Sequence, residues 1–166
     1  MRLEKIVLGT AIEDPSTIDE ISRLRLSDFT GVHRDLFTTV MNLYDEEALS
    51  YRSVVERLRS QGKLIILGDE NFAGEAYLQH LIDMADPQGI RSHVDQIERE
   101  AVRKSLREVA SLIAADAMDS GKDLAEIMDA AEKRILSIRR RSKGDEGVSF
   151  GELVSAYIPF IEGMRS

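Results

Sequence analysis

Apolar residues recur at intervals of three and four along most of the chain, which is the periodicity of α-helices that are buried on one side. This spacing predicts helices over residues 3–12, 15–25, 31–45, 51–61, 75–85, 90–117 and 124–138. Two of them have clear starts, because Asp14 precedes a proline at the first helical position and Ser50 is a favourable N-cap. The pattern predicts an all-α fold.

One run departs from the helical pattern. Residues 63–67, KLIIL, are strand-like, but the run is too short and too isolated to imply a sheet. We therefore expect a buried connection between two helices. Five aromatic residues of the N-terminal half are expected in the core of a small helical head: Phe29, Phe37, Tyr44, Phe72 and Tyr77.

A short break at residues 120–122 separates the two longest predicted helices. Such a short connection makes consecutive helices antiparallel neighbours, so the sequence predicts a helical hairpin. Two helices alone cannot bury the apolar residues on both faces of a hairpin, which predicts contact with the head or with another chain. The residues near the tip that we expect in a subunit or partner interface are Ile113, Ala117, Met118, Leu124, Ile127 and Met128.

After the hairpin, the stretch SKGDEG is small, polar and charged, which is typical of a linker. A capping box of Ser149 and Glu152 then begins a short amphipathic segment. We expect this segment to dock onto another domain or subunit through Phe150, Leu153, Val154 and Tyr157. The predicted organisation is a head at 1–88, a hairpin at 89–141, a flexible linker at 142–148 and a docking helix at 149–166.

The chain carries 22 Lys and Arg against 30 Asp and Glu, and its net charge of −8 argues against a surface that binds nucleic acid throughout. The basic run of Arg139, Arg140 and Arg141 is an exception. Cations at the C-terminal end of a helix complement the helix dipole. We therefore interpret the run as a helix end, with a weak contact to nucleic acid as the alternative.

Patterns of known catalytic and metal sites are not found in the sequence. The chain has no cysteine, which excludes disulfides and thiolate zinc sites and fits a cytoplasmic protein. Gly121-Lys122-Asp123 does not complete a phosphate-binding P-loop, and His33, His80 and His93 lack the spacing of metal ligands. We predict no catalytic, cofactor-binding or metal-binding residue within the chain.

Several short motifs occur in a characteristic order between residues 3 and 140. They are Glu4 to Gly9 with Asp14, Asp28-Phe29 with His33-Arg34 and Leu36-Phe37, Val54 with Leu58, Gly74 with Ala76 to Leu78 and Leu81, Ile97 with Arg99 to Ala101 and Arg103, and Asp129 to Glu132 with Ile135. In this order they resemble the N-terminal domain of the DnaB-type replicative DNA helicases of bacteria and their phages.

The resemblance implies the non-catalytic collar of a hexameric helicase that acts in DNA replication. In that family the hairpins pair between subunits, and the collar meets the C-terminal domain of primase, so we expect self-pairing and the recruitment of primase or of a helicase loader. The parent would be an ATP-dependent helicase whose motor domain, with ATP, Mg²⁺ and most of the DNA contact, is expected beyond residue 166. No membrane contact is expected. The alternative is a stand-alone helical adaptor, similar to the C-terminal domain of primase or to a helicase loader.

Overall fold

The computed structural model describes residues 2–142, and these residues form seven α-helices and three single-turn 3₁₀ helices. The α-helices are α1 Arg2–Glu13, α2 Ile18–Ile21, α3 Val32–Asp45, α4 Tyr51–Ser60, α5 Gly74–Asp83, α6 Ile90–Met118 and α7 Leu124–Ser142. The 3₁₀ helices are Pro15–Thr17, Leu26–Asp28 and Leu64–Ile66. Apart from one isolated bridge between Gly68 and Ala73, the described residues contain no β-structure. The predicted all-α fold is confirmed.

The predicted helix starts are also confirmed where capping residues marked them. Asp14 accepts a hydrogen bond from the backbone N–H of Ser16 at 3.1 Å, and Ser50 accepts one from Ser53 at 3.1 Å. The helix predicted over 15–25 is shorter than expected, because a 3₁₀ turn and the four-residue α2 take its place. The predicted linker and docking helix lie outside the described residues.

The expectation of a buried connection at 63–67 is wrong for two of its residues. Leu67 is buried, but Ile65 is 84% exposed and Ile66 is 62% exposed. The run forms a single 3₁₀ turn, and a turn of three residues points its side chains in three directions, so it cannot place all of them against one core.

Of the five aromatic residues predicted to lie in the core, three are buried and two are not. Phe29, Phe37 and Tyr77 are buried in the core, and the rings of Phe29 and Phe37 stack with their centroids 4.4 Å apart. Tyr44 and Phe72 are more than a third exposed, so the prediction of a core position is wrong for these two. Each lies near the end of an element or in a turn, where one side of the ring meets solvent.

The described chain divides into two compact units, Met1–Ala101 and a second unit that begins at Val102, so the division falls within α6. The predicted boundary at 88/89 lies just before the start of α6 and stays a prediction. In the first unit α1 lies against α5, and Gly9 lies at this contact. A Cβ atom at Gly9 would lie 1.9 Å from the carbonyl oxygen of Leu81, so only glycine permits this approach.

Candidate functional site

The tip of the hairpin is held by one carboxylate. Asp116, near the end of α6, accepts hydrogen bonds from Arg134 Nη1 at 2.7 Å and from Lys122 Nζ at 2.5 Å. These two cations, Arg134 first, hold the pKa of Asp116 below its ordinary value. Because Arg134 lies in the middle of α7, the ion pair shows that α7 returns alongside α6.

The two helices of the hairpin turn one half-buried line of side chains toward each other. On α6 this line is Val102, Ser105, Val109, Ile113 and Asp116. On α7 it is Ile127, Ala130, Ala131 and Arg134. The Asp116–Arg134 pair joins the two lines and identifies them as the inner faces of the hairpin.

Next to each inner line runs a second, more exposed apolar stripe, which shares one residue with the line: Ile113 on α6 and Ala131 on α7. It consists of Leu106, Ala110, Ile113 and Ala117 on α6, and of Leu124, Met128, Ala131 and Ile135 on α7. Both stripes have the same spacing of four, three and four residues. The four large side chains that remain open are Leu106 at 47%, Leu124 at 71%, Met128 at 57% and Ile135 at 41% exposure.

The two stripes lie on the same side of the hairpin. With about 3.6 residues per turn, each stripe is rotated from its inner line by roughly 70–80° in the same sense around its helix axis. Because the two helices run antiparallel, an equal rotation in the same sense turns both stripes to the same side. We call these eight residues together the hairpin face.

Four of the six predicted interface residues lie on the hairpin face, and two do not. Ile113, Ala117, Leu124 and Met128 belong to the hairpin face, whereas Ile127 lies in the inner line and Met118 projects about 100° away from the stripe of α6. Their role in pairing stays a prediction. Sequence reasoning missed the other half of the face, although the repeated spacing of the two helices was the signal: Leu106, Ala110, Ala131 and Ile135.

The basic run lies in the last turn of α7, at the negative end of the helix dipole. Arg139 and Arg140 are exposed and Arg141 is half-buried. This position agrees with the interpretation as a helix end, and contact with nucleic acid stays a prediction. The predicted docking residues Phe150, Leu153, Val154 and Tyr157 lie outside the described residues.

A second group of polar residues is buried in the first unit, where three helices meet. His33 on α3 lies between Glu4 of α1 and Tyr77 of α5, with Nδ1 2.6 Å from a carboxylate oxygen of Glu4 and Nε2 2.6 Å from the hydroxyl of Tyr77. All three side chains are buried. The backbone N–H and the hydroxyl of Thr30 also donate to Glu4.

The electrostatics of this network determine the direction of its hydrogen bonds. Burial opposes the charge on Glu4, but the hydrogen bonds from His33 and Thr30 outweigh it and hold the pKa of Glu4 below its ordinary value. Burial and the charges of Asp69 and Glu4 raise the pKa of Tyr77 to about 12. An ionised Glu4 only accepts, so His33 donates to it from Nδ1; in the neutral Nδ1–H tautomer, Nε2 accepts a hydrogen bond from the hydroxyl of Tyr77.

Sequence reasoning treated these three residues separately and did not join them. It found no metal-ligand spacing around His33 and expected Tyr77 in the core, and the structure confirms the core position of Tyr77. They are separated by 29 and 44 positions along the chain, so no local spacing could indicate that they meet. Together they tie α1, α3 and α5 with hydrogen bonds inside the core.

The exposed Leu64–Ile66 turn borders an open cleft of about 500 Å³ on the first unit. Leu64, Ile65, Ala73 and Ala76 contribute its apolar lining. An ion pair between Arg59 and Glu75 also lines it. The cleft therefore offers an apolar pocket with one charged border.

Two further features are absent from residues 2–142. No group of three or more His, Asp or Glu side chains in this part of the chain could hold a metal ion. None of the helices in the same range is both long and apolar enough to cross a membrane.

Comparison with known proteins places this fold in a family. A family model described as the DnaB-like helicase N terminal domain matches residues 1–99, which is more than half of the chain. The chain belongs to the DnaB-like helicase N-terminal domain family. No curated protein matches it.

The fold of this DnaB-type domain is also that of a solved relative. The chain is similar to the crystal structure of the N-terminal domain of DnaB helicase from Mycobacterium tuberculosis, with a TM-score of 0.70 and 23% identity, over 82% of this chain and 95% of that chain. The family model confirms the suspected family, and this structural match confirms the fold. Gly9, Glu4, His33 and Tyr77, which carried the resemblance in sequence, are the residues that pack α1, α3 and α5 together.

Proposed function

We propose that this helicase N-terminal domain pairs with a second copy of itself through the hairpin face, as part of the collar of a hexameric helicase. The observation that carries the proposal is the open apolar stripe on each helix of the hairpin. Leu106, Leu124, Met128 and Ile135 are all 41% or more exposed and lie on one side. A continuous apolar surface of this kind marks a protein interface, and the same patch on a second copy is a self-complementary partner.

A charge placed in the hairpin face tests the pairing. Met128→Glu puts a carboxylate into the proposed interface, whereas Leu112→Glu puts one on the opposite side of the same hairpin. Leu112 is a matched control because its exposure, 49%, is close to the 57% of Met128. Light scattering after size-exclusion chromatography at tens of micromolar should give a dimer for the unchanged chain and for Leu112→Glu, and a monomer for Met128→Glu.

If Leu112→Glu were a monomer and Met128→Glu a dimer, the interface would lie on the other side of the hairpin. Far-UV circular dichroism accompanies each measurement, because a variant that has lost helix reports on folding and not on pairing. Leu106→Glu then serves as a second variant at the base of the same face.

We further propose that the collar recruits the C-terminal domain of primase or a helicase loader, and that the Leu64–Ile66 turn and its cleft receive that partner. The support is the exposure of Ile65 and Ile66 beside an apolar pocket, since large aliphatic side chains in such positions are typical of interaction sites. The substitution Ile65→Ser should weaken binding of the primase C-terminal domain, measured by calorimetry, without changing dimer formation.

Leu26→Ser is the control for this experiment, because Leu26, like Ile65, is an exposed aliphatic residue of the first unit but does not line the cleft. Equal affinity of all three proteins for the primase domain and for the loader would refute the assignment of the cleft.

In the same proposal, ATP and Mg²⁺ are bound by a motor domain joined to the collar, in the cytoplasm. Mg-ATP should then leave the melting temperature of the collar alone unchanged.

A further inference from the structure

Positive charge is concentrated in one part of the hairpin, although the chain as a whole is acidic. Residues 1–101 carry 11 cations and 19 carboxylates, and residues 116–132 around the tip carry one cation and six carboxylates. Residues 102–115 of α6 and 133–142 of α7 carry eight cations and one carboxylate. We call these two segments the base of the hairpin.

Few cations of the base have a carboxylate partner. Arg134 pairs with Asp116 at 2.7 Å, and Lys104 lies 3.9 Å from Glu108, which is the one carboxylate of the base. Three exposed cations of α7 form no ion pair with any carboxylate of residues 2–142: Lys133, Arg139 and Arg140. Like charges on neighbouring turns repel each other, so ion pairing within the chain does not explain these three residues.

The three unpaired cations lie along one edge of α7. At about 100° per residue, each projects within about 60° of the direction opposite to the inner line, away from α6. Arg141 projects toward the inner line instead, in agreement with its half-burial. Because Lys133 and Arg140 are seven residues apart, the edge is about 10 Å long. We call Lys133, Arg139 and Arg140 the basic edge.

The helix dipole accounts for only part of this charge. It amounts to about half a negative charge at the C-terminal end of a helix, and its effect falls off within the last turn. Arg141 lies in the last turn of α7 and is enough to offset it. Lys133 lies nine residues before the end of the helix, out of reach of the dipole. The basic edge therefore carries more charge than α7 itself requires.

The chemistry of the edge favours a chain of phosphates as its anion. The guanidinium groups of Arg139 and Arg140 can bind phosphate oxygens through paired N–H donors, and a row of cations suits the repeated charges of a polyanion. Residues 102–142 contain no Phe, Tyr or Trp, so the hairpin offers no aromatic ring on which a base could stack. Contact with phosphates alone carries no sequence information.

We propose that the basic edge of α7 binds the phosphodiester backbone of a nucleic-acid strand, single-stranded or within a duplex, independently of base sequence. The strand runs from Lys133 toward the C-terminal end of α7, because Asp129 and Glu132 lie on the same outer side one turn closer to the tip and repel phosphates. The site belongs to one copy of the chain, so it does not depend on pairing through the hairpin face.

The dependence of binding on salt is the first test, measured by fluorescence anisotropy of a labelled oligo-dT with the 166-residue chain. With three phosphate contacts, a tenfold rise in salt should weaken binding of the single strand about 100-fold and of a duplex of the same length about 500-fold. The two slopes distinguish the two forms of the ligand. A change of less than about threefold in both overturns the assignment to phosphates.

Removal of the charge identifies the residues. Lys133→Gln, Arg139→Gln and Arg140→Gln in one chain should weaken binding at low salt by at least about tenfold and flatten the salt dependence. The matched control is Arg2→Gln, Arg52→Gln and Arg91→Gln, which removes the same charge from exposed cations of the first unit and should stay within about twofold. An equal loss in both triple variants overturns the site, because net charge alone would then explain it.

Two further measurements separate a phosphate site from a structural role. Arg139→Lys with Arg140→Lys keeps the charge and should keep the affinity within about threefold, with unchanged far-UV circular dichroism. Loss of binding in this variant without loss of helix overturns a contact based on charge. Poly-glutamate should compete more weakly than an oligonucleotide of equal charge, and equal competition overturns the choice of phosphates as the ligand.

Discussion

The substitution Gly9→Ala separates two effects that have opposite signs. Gly9 lies inside α1, where alanine ordinarily stabilises a helix by about 0.5–1 kcal/mol relative to glycine. A Cβ atom at this position would, however, lie 1.9 Å from the carbonyl oxygen and 2.4 Å from the carbonyl carbon of Leu81. Both atoms belong to the backbone of α5, so no change of side-chain rotamer relieves the contact.

The cost of the substitution follows from the movement that it requires. To restore an ordinary contact of about 3.4 Å, α1 and α5 must separate by about 1.5 Å. The separation loosens the packing of Leu8 and Leu78, which are fully buried, and overpacking of this kind costs about 1–3 kcal/mol or more. Because the gain in helix propensity offsets part of this cost, we expect Gly9→Ala to lower the free energy of unfolding by about 1–2 kcal/mol.

Urea unfolding followed by far-UV circular dichroism measures this change. Asn42→Ala is the control, because Asn42 lies on the exposed side of α3 and the substitution should stabilise the chain by about 0.5 kcal/mol from helix propensity alone. A Gly9→Ala chain that is as stable as the original, or more stable, would show that α1 and α5 do not approach each other as described.

The remaining predictions concern the buried network and the exposed turn. Tyr77→Phe removes the donor to His33 and should lower the free energy of unfolding by about 1–3 kcal/mol in urea, whereas Tyr44→Phe at an exposed position should change little. Because the pKa of folded Tyr77 is raised to about 12 from 10.0, the unfolded chain loses this proton first, so stability should fall between pH 10 and 12, and Tyr77→Phe should remove that part of the slope. Because the pKa of folded Glu4 is lowered, its contribution is present above the ordinary value of 4.5 and should be lost as the pH falls below it; thermal melts of Glu4→Gln should show a flatter acid limb. Ile65→Ser should change the unfolding free energy by less than about 0.5 kcal/mol, since Ile65 is 84% exposed. A larger loss would show that Ile65 is buried, as the sequence suggested.

The helices could be predicted from sequence because burial on one side imposes a period of 3.6 residues on the apolar positions. The same reasoning failed at Ile65 and Ile66, because a short apolar run does not reveal whether a neighbouring element is close enough to cover it. Hydrophobicity along the chain is a local property, and burial depends on the neighbours that the fold supplies.

The candidate sites were predictable only in part for a related reason. The hairpin and several residues of its exposed apolar face follow from spacing alone, as for Leu124 and Met128. Assigning a residue to the inner line or to the hairpin face requires knowing how each helix is rotated about its axis, which the Asp116–Arg134 pair shows. The hydrogen bonds from Glu4 through His33 to Tyr77 join three helices that are distant in sequence. They could therefore be identified only from the packed fold.

The claim on which the proposed function depends is that the hairpin face is covered by a second copy of the chain. Sedimentation equilibrium of the unchanged 166-residue chain, at low salt and at tens of micromolar, tests it most directly. We predict a species of twice the chain mass of 18.6 kDa, in a reversible equilibrium with the monomer. A single species of 18.6 kDa over the whole concentration range would contradict the claim.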